Sequence, residues 1–419
     1  MIQTDVARRL ERLQGAVAAH RAYRDDSLNL IASENRPSPF VEGMVAEDLN
    51  RRYSYYLSTH PSQAQHYRGT RHAEAIEAQV QALGQELLNA KHVELRPLSG
   101  NIAGIVTTFA LGLPGATALE VQTGHKYAEK MSSSPLAVDM QSIPIPWDGP
   151  RYNIDLDRTV ELIEKHRPRI VLIGSAVFPF PHPVREIREA MDRFCPESYL
   201  VYDAAHVMGL IAGGRFQQPL EEGADLVITS THKTLAGPQG GMILTNRPEI
   251  ATAIAQSVSP LMIANHHLAR LPALGATFLE WLSFGSAYAD ATIENARALG
   301  RALHERGVPC VGQDLGFSDS HTILPVVDAF GEAESVAARL EECGIVCGGM
   351  PVPPECGTHG LRVGVQEVTR WGMTAGDIPE VADCMVAGLR GDDTDEVRER
   401  ARELAHRFSQ VRFALDSEA

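Results

Sequence analysis

No apolar run in this chain of 419 residues approaches the ~20 residues of a membrane-spanning helix. The opening stretch "MIQTDVARRLERLQGAVAAHRAYRDD" has early acidic residues and lacks the apolar core of a secretory signal. Positive charge is short: 38 Lys and Arg stand against 53 Asp and Glu, a net charge of -15. An acidic surface repels nucleic acid and anionic lipid, so no nucleic-acid or membrane partner is expected, although a local basic pocket for a small anion stays open. Cysteine is scarce, with six in all. That number in a long chain fits free thiols in a reducing cytoplasm. Cys343, Cys347, Cys356 and His359 lie near one another, but Cys343 and Cys347 flank a strand-like "GIV" and the spacing matches no common zinc pattern, so no metal is expected. Internal repeats and low-complexity linkers are also missing.

What is present is globular: 44% hydrophobic and 22% charged residues, in a length that suits two closely joined domains. Residues 4–24 read as an amphipathic helix, and "NLIASENRPSP" (29–39) as an irregular arm, because Pro37 and Pro39 oppose helix. Helices are expected at 74–90, 99–113 and 183–194. Apolar runs at 169–176, 199–205 and 224–230 read as buried parallel strands alternating with helices. A long helical segment, about 266–307, leaves this region. The remainder mixes strands ("HTILPVVDA", "LRVGV") with helices ("EAESVAARLEECG", "DTDEVRERARELAHRFSQ"). The expected fold class is therefore α/β, with a mostly parallel central sheet and a smaller C-terminal α+β domain. The division is 1–50 for the N-terminal helix and arm, 51–275 for the large domain and 276–419 for the small one.

In open α/β sheets ligands gather outside the carboxyl ends of strands. Ser175 ends one strand, Asp203 ends the next and is followed by His206, and Lys233 follows the third in "STHKTLAGPQGG". Singly, each has a structural explanation: a turn lysine, a capping aspartate, a core histidine. Together they match the needs of pyridoxal phosphate (PLP). A lysine holds this cofactor as an imine, and a carboxylate keeps its pyridine nitrogen protonated. Its phosphate needs N–H groups and hydroxyls at a helix start, which Ser99, Gly100 and Asn101 of "LSGNIAG" supply. Arg362 in "HGLRVGV" offers a fork for a substrate carboxylate.

Five stretches in this order, "NLIASENRPSP", "RPLSGNIAG", "VYDAAHVMGLIAGG", "STHKTLAGPQGG" and "LRVGVQEVTRWGM", resemble the serine hydroxymethyltransferase family, PLP enzymes of the aspartate aminotransferase fold (fold type I). The resemblance spans roughly residues 27–373, and its sheet motifs look closest to the archaeal, pterin-using branch. It implies that Lys233 holds PLP, that Asp203 meets its pyridine nitrogen, and that His206 lies by its phenolic oxygen. Ser99, Gly100 and Asn101 take the phosphate, and Ser175 and Ser230 line the ring. His125 stands near the place where the family stacks an imidazole, and His232, beside the lysine, is a further catalytic candidate. Arg362 and Ser33 bind the amino-acid carboxylate. The family builds its site across a homodimer, so residues 33–67 are expected to reach the other subunit's cofactor.

The pattern breaks at "NRRYSYYLSTHPSQAQHYRG". Tyr53 and Tyr67 fit the family's two tyrosines, but Tyr55 takes the place of its proton-handling glutamate, and no Glu or Asp lies between Asp48 and Glu74. A phenol of pKa ~10 is no substitute for a carboxylate base near neutral pH. The family's pterin-holding, asparagine-rich turn is also replaced, by "CGGMPVPPE". "GFSDSHTI" and the Arg362 stretch resemble the threonine transaldolase relatives. The expected activity is a folate-independent aldol reaction: cleavage of a β-hydroxy amino acid such as threonine, then transfer of the glycyl carbanion to a proton or an aldehyde. A hydroxymethyltransferase acting on serine, glycine or a 2-alkyl amino acid with a pterin is the alternative.

Overall fold

Short aliphatic runs build the centre of the molecule. The structure is a computed structural model and describes residues 2–63, 65–132 and 139–415. β1 (His92–Glu94), β2 (Thr117–Val121), β3 (Gln141–Ile145), β4 (Ile170–Ile173), β5 (Tyr199–Asp203), β6 (Leu226–Ser230) and β7 (Gly241–Thr245) form one sheet in the order β1-β7-β6-β5-β4-β2-β3. β2 to β6 are parallel to one another, and β7 runs against both of its neighbours. Alternation along β4 sends Val171 and Ile173 into one core and Ile170 and Leu172 into the other. Burial on both faces explains why these strands read as unbroken apolar runs.

A second core lies on a three-stranded antiparallel sheet of β8 (Thr322–Ile323), β9 (Gly348–Pro351) and β10 (His359–Gly364), with β10 in the middle. The helices Ala333–Glu342, Ile378–Arg390 and Thr394–Arg407 cover it. Leu28 and Leu30 of the arm join this core, and Leu28–Asn29 pairs in parallel with Ile345–Val346. One helix of 35 residues, Leu271–Glu305, connects the two sheets: Leu274 and Phe278 pack with Val171 and Ile173 of the large sheet, Leu299 and Leu303 in the core of the small one.

Several local expectations change. The arm is irregular over 30–38, as its prolines lead one to expect, and a short helix, Pro39–Gly43, capped by Ser38, begins at its last residue. The strands expected to run to 176 and 205 stop at Ile173 and Asp203. Gly174 turns the chain with φ +116 past the Asp203 carbonyl, and the Asp203 carboxylate accepts from Ala205 N at 3.0 Å, closing a turn. "HTILPVVDA" keeps only Thr322–Ile323 as regular strand, because Pro325 lacks an N–H to continue the ladder. Where the family has its turn, Gly348–Pro351 is a strand, with Gly348 directly opposite Arg362. The N-terminal helix, α1 (Ile2–Asp25), is present. Its apolar stripe of Val6, Leu10, Leu13 and Val17 is exposed by 49% or more, so one chain alone gives that face nothing to pack on. No helix among the described residues is long and apolar enough to cross a membrane.

Candidate active site

The order of the sheet reverses between β2 and β4, and the loops that leave these strands and β5 and β6 converge there. Asp203 closes β5 and is 4% exposed. Its Oδ2 receives His125 Nδ1 at 3.0 Å and the Tyr127 hydroxyl at 3.3 Å, and its Oδ1 takes the Ala205 N–H. Three donors hold the carboxylate in place. On the far side of the β4 turn, Ser175 Oγ lies 2.9 Å from Thr123 Oγ1 and accepts from Val177 N at 3.0 Å.

Lys233 sits three residues after β6. Its Nζ is 3.1 Å from His206 Nε2. Burial pushes the amine down to about 8, helped by Arg362, while Asp203 pulls it back up. The same burial holds His206 well below its ordinary value, with Lys233 adding to the effect. A neutral His206 facing a lysine amine uses only Nε2, and its Nδ1 is buried without a partner. His321 stacks nearly parallel to it, with ring centroids 6.2 Å apart, and is itself lowered to about 3 by burial. His232 is lowered to about 4, chiefly by burial and then by Lys233, so it is a neutral hydrogen-bonding group near pH 7.

Ser99 caps the helix Gly100–Leu111 by accepting from Ile102 N at 3.2 Å. Asn101 is exposed on its first turn. Gly100 lies against Ser230 so closely that a Cβ would overlap the Ser230 hydroxyl, and a Cβ on Gly241 would overlap the Ser99 carbonyl. Two glycines thus let three segments meet at a helix start, where N–H groups suit a phosphate. Arg362, on β10, donates to the Ala176 carbonyl at 3.4 Å, and burial lowers its pKa. Its charge reaches Lys233, His206 and His321.

Lys233, Asp203, His206, His125, Ser99, Gly100, Asn101, Ser175, Ser230, His232 and Arg362 are therefore drawn toward one end of the sheet. Ser33 is half-buried on the arm, and the arm stays with its own chain: Asn35 Nδ2 donates to the Lys233 carbonyl at 2.9 Å. The expectation that the segment crosses to a second subunit from residue 33 onward is thereby corrected, since hydrogen bonds to residues 233, 321 and 366 hold 31–35 at home. Tyr53 and Tyr67 form a separate exposed pair with ring centroids 5.5 Å apart, and Tyr55 packs on His66 at 4.6 Å. None of these three rings contacts Lys233, Asp203 or Arg362 among the described residues. His125 meets Asp203 directly. Sequence reasoning did not single out Tyr127, His321, Asn35 or Gln366. Each lies within a few residues of a quoted stretch or candidate: Tyr127 two after His125, Asn35 two after Ser33, His321 inside "GFSDSHTI", and Gln366 in "VQEVTR".

The donor set suits PLP: a shielded amine of lowered pKa for its aldehyde, a fixed carboxylate for its ring nitrogen, an unpartnered buried His206 Nδ1, and a glycine-lined helix start for its phosphate.

The family model for serine hydroxymethyltransferase matches residues 9–385. Serine hydroxymethyltransferase of Pyrobaculum aerophilum is 36% identical over 420 residues, covering 98% of this chain and 96% of that protein. The enzyme of the same name from Saccharolobus solfataricus is 37% identical over 382 residues, covering 89% and 87%. Among solved structures, L-threonine transaldolase from Pseudomonas fluorescens superposes with a TM-score of 0.91 at 28% identity, covering 100% of this chain and 96% of that one.

Proposed function

The chain belongs to the serine hydroxymethyltransferase family, a PLP-dependent transferase family of fold type I, and from that premise we propose that it is a folate-independent aldol enzyme. It cleaves a β-hydroxy amino acid, with threonine preferred, and transfers the glycine unit to an aldehyde. The observation that carries this reading is that residues 49–73 contain no Asp or Glu; by the resemblance, Tyr55 stands where the family has its proton-handling glutamate. Glu77 does not replace the missing group: it is buried, and it is committed to the Tyr56 hydroxyl at 2.6 Å and to His266 at 2.7 Å. Gly348, across from Arg362, supports the same reading, because a Cβ there would meet nothing within 4 Å, leaving room where a pterin-reading amide is lost.

Bound PLP supplies an aldehyde for the substrate amine and a ring that accepts the electron pair of the broken Cα–Cβ bond. Lys233 would hold it, Asp203 its ring nitrogen, His206 Nδ1 its phenolic oxygen, and Ser99, Gly100 and Asn101 its phosphate, with His125, Ser175 and Ser230 along the ring. Arg362 and Ser33 bind the substrate carboxylate. A neutral His232 accepts a hydrogen bond from the substrate hydroxyl. Lys233, with its lowered pKa, takes or gives a proton at Nζ near neutral pH. Tyr53, Tyr55 and Tyr67 complete the site from a second subunit, and the exposed α1 stripe provides apolar surface for such a homodimer. With no carboxylate in their segment to take up a proton and hand it back, return of a proton to the glycine unit would be slower, and an aldehyde could take its place.

The test is to incubate PLP-loaded protein with L-threonine and a panel of aldehydes, without pterin, and to detect new β-hydroxy amino acids by mass spectrometry. Lys233-dependent products support the aldol reading. Conversion of serine only when a pterin is added sinks it and establishes the hydroxymethyltransferase alternative, which the 36% whole-chain identity to enzymes of that name favours.

A further inference from the structure

The arm reaches the site through three side chains that contribute nothing to the chemistry just described. Gln366 is fully buried two residues after β10. Its Nε2 donates to the Ile31 carbonyl at 2.7 Å and to the Glu34 carbonyl at 2.6 Å, so one amide brackets Ser33 on both sides. Its Oε1 is buried with no partner. With its Oε1 unpaired, all of this side chain's hydrogen bonding lies in its two amide donors, which serve two carbonyls at once without adding a charge to the buried site. Between those anchors, His321 Nε2 lies 3.1 Å from the Ala32 carbonyl. Gly364 N, at the end of the Arg362 strand, bonds the Leu30 carbonyl at 2.9 Å. The other end of the arm is tied as well. Asn35 Nδ2 donates to Lys233 O and to the Tyr288 hydroxyl at 2.8 Å, and that hydroxyl donates to the Gln366 carbonyl at 3.0 Å. The circuit closes on itself: Lys233 loop, arm, long helix, Gln366, arm.

We infer that Gln366 is a positioning residue for the amino-acid carboxylate: by clamping the Ile31–Glu34 peptide it fixes Ser33 against the strand that carries Arg362, with His321 as its second anchor. The inference rests on the proposed carboxylate role of Ser33 and Arg362. A two-point carboxylate site is only as good as the distance between its points. Arg362 is fixed by its pairing with Gly348 of β9, and the next two residues of its strand, Val363 and Gly364, pair with β8. Ser33 sits on irregular chain, which has no ladder of its own, and the clamp replaces that ladder.

Gln366→Met keeps the volume and removes both donors. Its KM for the amino acid should rise about tenfold, the scale of one hydrogen bond to a charged group, with kcat within twofold and the aldehyde KM unchanged. Amides 31–35 should exchange faster with deuterium in the cofactor-free chain. Ser33→Ala supplies the decisive cross-check: if Gln366 acts through Ser33, the double variant binds the amino acid no worse than Ser33→Ala alone. Additive losses, or an unchanged KM with unchanged exchange, overturn the inference. If Gln366→Met fails to fold, Gln366→Asn, one methylene too short to reach both carbonyls, carries the same three measurements. Failure of the underlying assignment looks different, because Ser33→Ala and Arg362→Lys would then leave amino-acid binding as it is in the native enzyme.

Discussion

Lys233 is one of only five lysines in the chain, with Lys91, Lys126, Lys130 and Lys165, so its amine can be followed individually by labelling and mass spectrometry. Burial lowers its pKa from 10.5 to about 8. At pH 7.5 an amine with a pKa of about 8 is roughly 24% unprotonated, against roughly 0.1% at 10.5, a gain of about 240-fold in free base. Trace acetylation of the cofactor-free protein at graded pH should give a Lys233 reactivity curve that rises tenfold per pH unit and levels off above about pH 8. The midpoint carries the test and the absolute rate does not, since a less basic amine is also a weaker nucleophile. Two charge changes fix the signs. Asp203→Asn removes the carboxylate that favours the ammonium form, so the midpoint moves down. Arg362→Met removes a repelling cation, so the midpoint moves up, and by less, because Asp203 acts more strongly on the amine. A curve still climbing at pH 10, or shifts of the opposite sign, would refute the view that a shielded, Arg362-facing pocket activates this lysine.

Gly104→Ala should place a methyl group inside the Tyr127 ring, pulling its hydroxyl from Asp203; the expected cost is about 1–3 kcal/mol by urea denaturation, with faster loss of cofactor on dialysis. His182 is buried against Phe178 and lowered to about 3 by desolvation. Its folded pKa lies below the unfolded ~6.5, so the unfolded chain binds the extra proton and stability falls as pH drops from about 6.5 toward 3. His182→Phe should recover up to about 2.7 kcal/mol of that loss at pH 4.5, and an unchanged slope of stability against pH between 6 and 4 would exclude this account. Glu280 and Arg370 form a fully buried pair that also holds Ser38 and the Leu415 N–H. Glu280→Ala strands the guanidinium and should cost about 3–5 kcal/mol, whereas replacing both residues with Met should cost much less, read as denaturation midpoints.

What could be read from the sequence depended on how local each signal was. Asp203 and Lys233 were legible because a parallel strand announces itself as an apolar run and ends in a turn, and the ends of such strands carry ligands. The helix start at Ser99 was legible for the same reason, as small polar residues before an apolar helix. The failures came where sequence distance was large or where a glycine or proline cut an element short. Gly174 ended β4 within an apolar stretch, and Pro325 ended β8. The "CGGMP" strand has none of the β-branched character that usually marks one; pairing with the Arg362 strand imposes its extended form, and no local preference does. Gln366 and the arm are more than 330 residues apart, and no periodicity links them.

Lys233, Asp203 and the Ser99 helix start, the groups proposed to hold PLP, serve what PLP needs in any reaction and say little about which one follows. On the proposed function, reaction choice lies instead in the 53–67 stretch, whose three tyrosines do not meet Lys233, Asp203 or Arg362 within one chain, in the Gly348 strand and in the clamped arm. The Gly348 strand and the arm are positioned by partners far away in sequence. A substitution such as Tyr55 for a glutamate can therefore alter proton handling without disturbing the β5 and β6 ends, where Asp203 keeps its three donors and Lys233 keeps His206. Restoring the carboxylate with Tyr55→Glu isolates that difference. If the loss of a base is what lets an aldehyde intercept the carbanion, the variant should release more free glycine and form less of the new β-hydroxy amino acid from the same threonine, with cofactor binding unchanged. A product ratio that stays fixed would move the origin of reaction choice from Tyr55 to the open space beside Arg362.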